Sequence, residues 1–169
     1  MVTIPPVSKF PVQPEALYLN EFLQRLLETT EGIYEAAGVP LPSRRYWCLG
    51  QAAEDCAQMT VVFQNMALGT PGEQQNEPMP CSGPKFATVQ INVTRDMVNS
   101  ENTAPPGADR IQAASEWMGI DAWLLMDNLQ AYDVTSLGTR GAGVLATVNT
   151  PAPSGNVQTT TLTLTIGMI

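Results

Sequence analysis

The sequence predicts an α+β domain: a mainly antiparallel sheet of four to five strands packed by two helices, with long loops. Three observations predict it. Residues 57–64 and 87–94 alternate apolar and polar side chains with the period of an extended strand, and so do 144–149 and 161–168 near the end. Residues 14–33 and 108–129 instead place apolar residues three and four apart, the spacing of a helical stripe. Strands buried on both faces in a parallel sheet would read as continuous apolar runs, so clean alternation argues for an antiparallel sheet with one face on a core. The other face, rich in Thr, Gln and Asn, is then open to water or to a protein partner.

The opening segment, Met1 to Gln13, contains Pro5, Pro6 and Pro11 and is read as an extended arm preceding a single domain over 14–169. Pro14 suits a first helical position. From it, Leu19, Leu23, Leu26, Thr30 and Ile33, widened by Phe22 and Leu27, form the buried stripe of a helix that Gly38 stops. Its glutamates, Glu15, Glu21, Glu28, Glu31 and Glu35, lie mostly off that stripe and make a solvated face. Pro40 and Pro42 break the chain before a short strand around Arg44 to Gly50.

The first strong strand places Ala57, Met59, Val61 and Phe63 on one face, with Gln58, Thr60 and Gln64 on the other and Val62 as the exception. The second alternates Ala87, Val89, Ile91 and Val93 with Thr88, Gln90, Asn92 and Thr94, and ends near Asp96. Between them, Leu68 to Pro84 holds Gly69, Pro71, Gly72, Pro78, Pro80, Gly83 and Pro84, too many breakers for a tight hairpin. Connections of that length inside a compact domain tend to carry function, which makes Leu68, Gly69, Thr70, Pro71 and Gly72 candidate subunit-interface residues.

The second helix is expected from Ala108 to Leu129. Ile111, Ala114, Met118, Ala122, Leu125 and Leu129 form its stripe, with Trp117, Ile120 and Leu124 on the flank. Trp117 and Trp123 stand about 120° apart around a helix, so both cannot share the core, and Trp123 is the candidate surface anchor. Beyond Gly138, Gly141 and Gly143, Val144, Ala146 and Val148 alternate with their neighbours. A final strand carries Leu162, Leu164, Ile166 and Met168 between threonines, completing a second hairpin.

The chain has 169 residues, a net charge of -8 and only 14% charged residues. So few charges fit a subunit that hides surface in an assembly. The acidic balance argues against a protein that grips nucleic acid through its phosphates, and Arg44 and Arg45 are the only adjacent basic pair. The first residues do not read as a secretory signal, and no apolar run approaches the roughly 20 residues that span a bilayer. The expected origin is therefore cytosolic, without a membrane.

Chemistry is scarce. There is no His, which removes the commonest general base and metal ligand together. Three cysteines make neither a disulfide framework nor a familiar zinc set. Cys56 and Cys81 flank the first strong strand and its loop and would meet if the loop folded back, a pairing the residues leave open. Asp55 and Cys56 point to opposite sides of an extended chain, and Glu116 and Asp121 are turned apart on a helix. Gly138 to Gly143 leads into a strand, not a helix, and lacks the Lys of a phosphate loop. No catalytic, cofactor-binding or metal residue is nominated, and the chain reads as a non-enzyme.

Asp55-Cys56 entering a strand, Leu68-Gly69-Thr70-Pro71-Gly72 after it, Pro80-Cys81 before the next, and Ile120-Asp121-Ala122-Trp123-Leu124-Leu125 in a helix are together similar to motifs of the tail terminator proteins of long-tailed phages infecting actinobacteria. Six Arg against two Lys also suits a GC-rich genome. The resemblance implies a virion protein, assembled in the host cytoplasm, that closes into a homohexameric ring in the neck of the tail. Its implied partners are the major tail tube protein below and the head connector or stopper protein above, with DNA passing through the lumen without specific binding. It also implies that the 68–84 loop and the arm touch neighbouring subunits or rings, and that acidic side chains line the lumen. The alternatives are another head-to-tail connector, a stopper or adaptor, and, from a different class, a small cytosolic ligand-binding domain.

Overall fold

The first helix, α1 (Pro14–Ala37), buries Phe22, Leu23, Leu26, Leu27, Thr30, Ile33 and Tyr34, the stripe that its spacing dictates with Tyr34 added. Glu21, Glu28 and Glu35 face solvent. Thr30 is tolerated in the core because its hydroxyl donates to the Leu26 carbonyl at 2.7 Å and meets the Tyr132 hydroxyl at 3.0 Å. Gly38, at φ 67°, ends the helix: its N–H donates to Glu35 O at 3.1 Å and that of Val39 to Tyr34 O at 3.0 Å. This paired bond satisfies the last carbonyls and needs a left-handed residue, which glycine supplies without strain.

The computed structural model describes residues 14–52, 56–68, 85–96, 108–132, 145–151 and 157–168. The arm over 1–13, positions 69–84, the 97–107 connection and the Gly138–Gly143 turn lie outside them. Five strands follow α1 in one sheet: β1 (Arg44–Leu49), β2 (Gln58–Leu68), β3 (Lys85–Asp96), β4 (Leu145–Asn149) and β5 (Val157–Met168). The second helix, α2 (Ala108–Asp127), is inserted between β3 and β4. The sheet order is β1-β2-β3-β5-β4. This is the expected α+β class.

Every neighbouring pair is antiparallel except β1 with β2, which is parallel. Period-2 alternation reports which side chains share a face and is blind to strand direction. Parallel neighbours usually need a crossover of about a dozen residues or more; here β1 is short enough for residues 50–57 to return the chain. Gly50, at φ 88°, starts that return, with its N–H held by Phe63 O at 3.1 Å.

One sheet face carries Met59 and Val61 of β2, Val89, Ile91 and Val93 of β3, and Leu162, Leu164 and Ile166 of β5, packed against the α1 stripe, Leu125 and Tyr132. A bulge between Phe63 and Asn65 shifts the register, so Met66 stands opposite Ala87. The opposite face is polar, as predicted, but it is not simply open. Gln58, Thr60, Asn92, Thr94 and Thr159 on it are buried. They tolerate burial by pairing across strands: Tyr46 donates to Gln58 Oε1 at 3.3 Å, Thr161 to Asn92 Oδ1 at 2.8 Å, Asn92 to Thr60 at 3.4 Å, and Thr94 meets Thr159 at 3.1 Å.

The second helix departs most from its predicted stripe. Leu125 is buried and Ala114, Met118, Ala122 and Leu124 are half-buried, whereas Ile111, Trp117 and Ile120 are exposed. The helix also stops at Asp127, leaving Leu129 in a short 3-10 turn over Leu129–Ala131.

Candidate functional site

Asp121 interrupts the apolar run of α2 and is turned inward beside Leu125. Its side chain is 2% exposed and meets Arg95, at the end of β3, in a two-pronged ion pair: Nε to Oδ2 and Nη2 to Oδ1, both at 2.7 Å. Tyr34 of α1 donates to Oδ1 at 3.0 Å, and Arg95 Nη1 donates to the Pro40 carbonyl at 3.2 Å. The Arg95 guanidinium lies 4.6 Å from the centre of the Trp117 ring. One buried carboxylate thus ties α1, the segment after it, β3 and α2 together.

Burial works against the charge on Arg95, but the hydrogen bonds and charge of Asp121 outweigh it and raise its pKa. Burial, reinforced by the Asp121 carboxylate, pushes the Tyr34 hydroxyl far above the ordinary tyrosine range. Both Asp121 oxygens already accept hydrogen bonds, so the carboxylate is placed as a structural anchor rather than as a general base.

Fixing Asp121 and Leu125 inward determines what α2 shows outside. Trp123 is two residues from each, about 200° around the helix, and stands 70% exposed. Ile120 and Met126 flank it and are exposed, while Glu116 and Asp127 add charge on the same outward side. The expectation that Trp123 is the outward tryptophan matches its position; Trp117 is occupied by Arg95. The Arg95–Asp121–Tyr34 cluster was not anticipated. Its one signal is a lone carboxylate inside an apolar helical run, without any spacing that names its partners.

Of the predicted loop residues, Leu68 closes β2, with its backbone paired to Lys85. Gly69, Thr70, Pro71 and Gly72 lie outside the described residues. Cys56 is a free cysteine, its Sγ 3.5 Å from Arg44 Nη1, and Cys81, its candidate partner, lies outside the described residues. Cys48 is also free, and burial raises its pKa, which disfavours the reactive thiolate.

Two clefts accompany these features. One, about 430 Å³, lies between α1 and β1 and holds the Arg45–Glu31 ion pair at 3.1 Å and the Trp47 Nε1 to Gln24 bond at 3.0 Å. The other, about 420 Å³, lies on the polar sheet face, where Gly50, Gln51 and Ala52 run beside Val62, Gln64, Gln90 and Asn92. Its amide groups include the Gln64 to Gln90 bond at 2.9 Å. Neither cleft aligns a nucleophile with a base. Among the described residues, no group of three or more Cys, Asp or Glu is placed to hold a metal ion, and no helix is long and apolar enough to cross a membrane.

Among the described residues, α2 thus turns Ile120, Trp123 and Met126 outward, and β1 and β4 end the sheet. No protein-family model matches the chain, and no curated protein matches it significantly.

Proposed function

We propose that this chain is a tail terminator of a long-tailed phage, a subunit of a hexameric ring that caps the tail tube and joins it to the head connector. The observation that carries the reading is the outward apolar surface of α2, where Trp123, Ile120 and Met126 stand exposed together. Aromatic and methionine side chains are enriched at protein interfaces, and a rigid Trp presents much contact area at little entropic cost. Ion pairing and packing hold α2 on the sheet by its other side, so this surface is available to a partner without unfolding anything. The motif resemblance from Asp55 to Leu125 and the low charged fraction support the same reading.

In this role the tail tube protein and the connector or stopper are the docking partners, and the α2 surface and the 68–72 segment are the contacts. DNA passes through the ring without specific binding. Native mass spectrometry of the chain mixed with tail tube subunits tests this. A hexamer is expected, and Trp123→Ser should keep the fold, because the side chain touches little, while weakening tube capping at least tenfold. A chain that stays monomeric in that mixture would argue against the ring.

A further inference from the structure

We propose that copies of this chain join head to tail by sheet extension, β4 of one copy pairing with β1 of the next. The inference deepens the ring reading and rests on it for closure. β1 and β4 are the two edges of the sheet, at opposite ends of the order β1-β2-β3-β5-β4. Following the pairings across the sheet, β5 runs with β1 and β2, whereas β3 and β4 run against them. In a ring whose axis follows the strands, every copy keeps its direction, so β4 meets the neighbouring β1 antiparallel, the commoner pairing in sheets.

The two edges also match in length. β1 has six residues and β4 five. β4, Leu-Ala-Thr-Val-Asn, has neither the charges nor the proline that blunt a solitary edge, and its Leu145 is 60% exposed. Full overlap in antiparallel register places Leu145 opposite Cys48, Ala146 opposite Trp47, Thr147 opposite Tyr46, Val148 opposite Arg45 and Asn149 opposite Arg44. This register keeps both sheet faces continuous, since Ala146 and Val148 lie on the helix-packed side, as do Trp47 and Arg45. The small Ala146 beside Trp47 leaves room for the indole, which Gln24 already holds from α1. Arg45 brings no bare charge to the contact, because Glu31 pairs with it. A head-to-tail contact between two different edges closes a ring and leaves neither edge open.

The test uses the native Cys48, with Cys56 and Cys81 replaced by Ser so that no other native thiol links copies, at alkaline pH because burial raises the Cys48 pKa. Facing side chains across an antiparallel pair stand about 5 Å apart, so a bifunctional thiol reagent of that reach should join Leu145→Cys to Cys48 of the next copy. The expected result is a ladder of covalent multimers that disappears when Cys48→Ser is added, while native mass spectrometry still finds the ring. Ala146→Cys, on the other sheet face, should give no ladder. A ring without the Leu145→Cys ladder, or a ladder that survives Cys48→Ser, overturns the edge pairing and leaves the ring. Failure to find any ring under assembly conditions overturns both.

Discussion

Asp121 shows how one residue can decide what a helix offers to the outside. With its two oxygens bound by Arg95 and Tyr34, it fixes the rotation of α2, and Trp123 is left in solvent as a consequence. Thr160 is the opposite case. It is 1% exposed on the helix-packed face of β5, and its hydroxyl has no hydrogen-bond partner among the described residues. A buried, unsatisfied hydroxyl is a standing cost, so Thr160→Val, which keeps the shape, should raise unfolding stability by about 1 kcal/mol, read as a higher urea midpoint. Tyr132 makes a pH prediction. Thr30 uses its proton on Leu26 O, so Tyr132 donates to Thr30, and burial pushes the Tyr132 pKa up to about 12. Below about pH 10 tyrosine is protonated in both states and contributes no slope. Between about pH 10 and 12 only the unfolded chain ionises, so stability should fall by about 2–3 kcal/mol across that window. Tyr132→Phe should remove that part of the slope in urea unfolding followed against pH; an unchanged slope would contradict the assignment.

At the scale of elements, α1 was legible because its apolar residues occupy one stripe and its end carries the glycine that the paired C-terminal bonds require. β2, β3 and β5 were legible for the same kind of reason: Val89, Ile91 and Val93 alternate with polar residues without interruption. α2 was only half legible. Ile111, Trp117, Ile120, Trp123 and Met126 surround the helix almost completely, so spacing alone could not say which apolar side faces the sheet. The deciding residue is polar, and its partners Arg95 and Tyr34 are remote in sequence with no pattern linking them. The parallel β1 was likewise illegible in direction, because alternation is the same in either sense. The burial of Thr60 and Asn92 depends on cross-strand partners that register alone brings together. Since the ion pair joins three elements, Asp121→Asn should cost about 3–5 kcal/mol, the usual penalty for leaving one buried charge without its partner. Denaturant unfolding checks this. A loss under 1 kcal/mol would mean that α2 is held by Leu125 and its apolar neighbours instead.

For the whole molecule, the α+β class and element order follow from periodicity, whereas the candidate interface depends on which surface is left after the core is made. The helices cover one sheet face, the edges β1 and β4 end the sheet, and α2 turns an apolar side outward. With only 14% charged residues, the chain presents these surfaces with little charge, which is consistent with the proposed ring. The most direct test of the proposed terminator role is to delete this gene from the phage proposed to encode it and to view the resulting particles by electron microscopy. Tails of uncontrolled length and heads unjoined to tails are expected, both restored by supplying the chain. Normal, fully joined particles in the deletion strain would contradict that role.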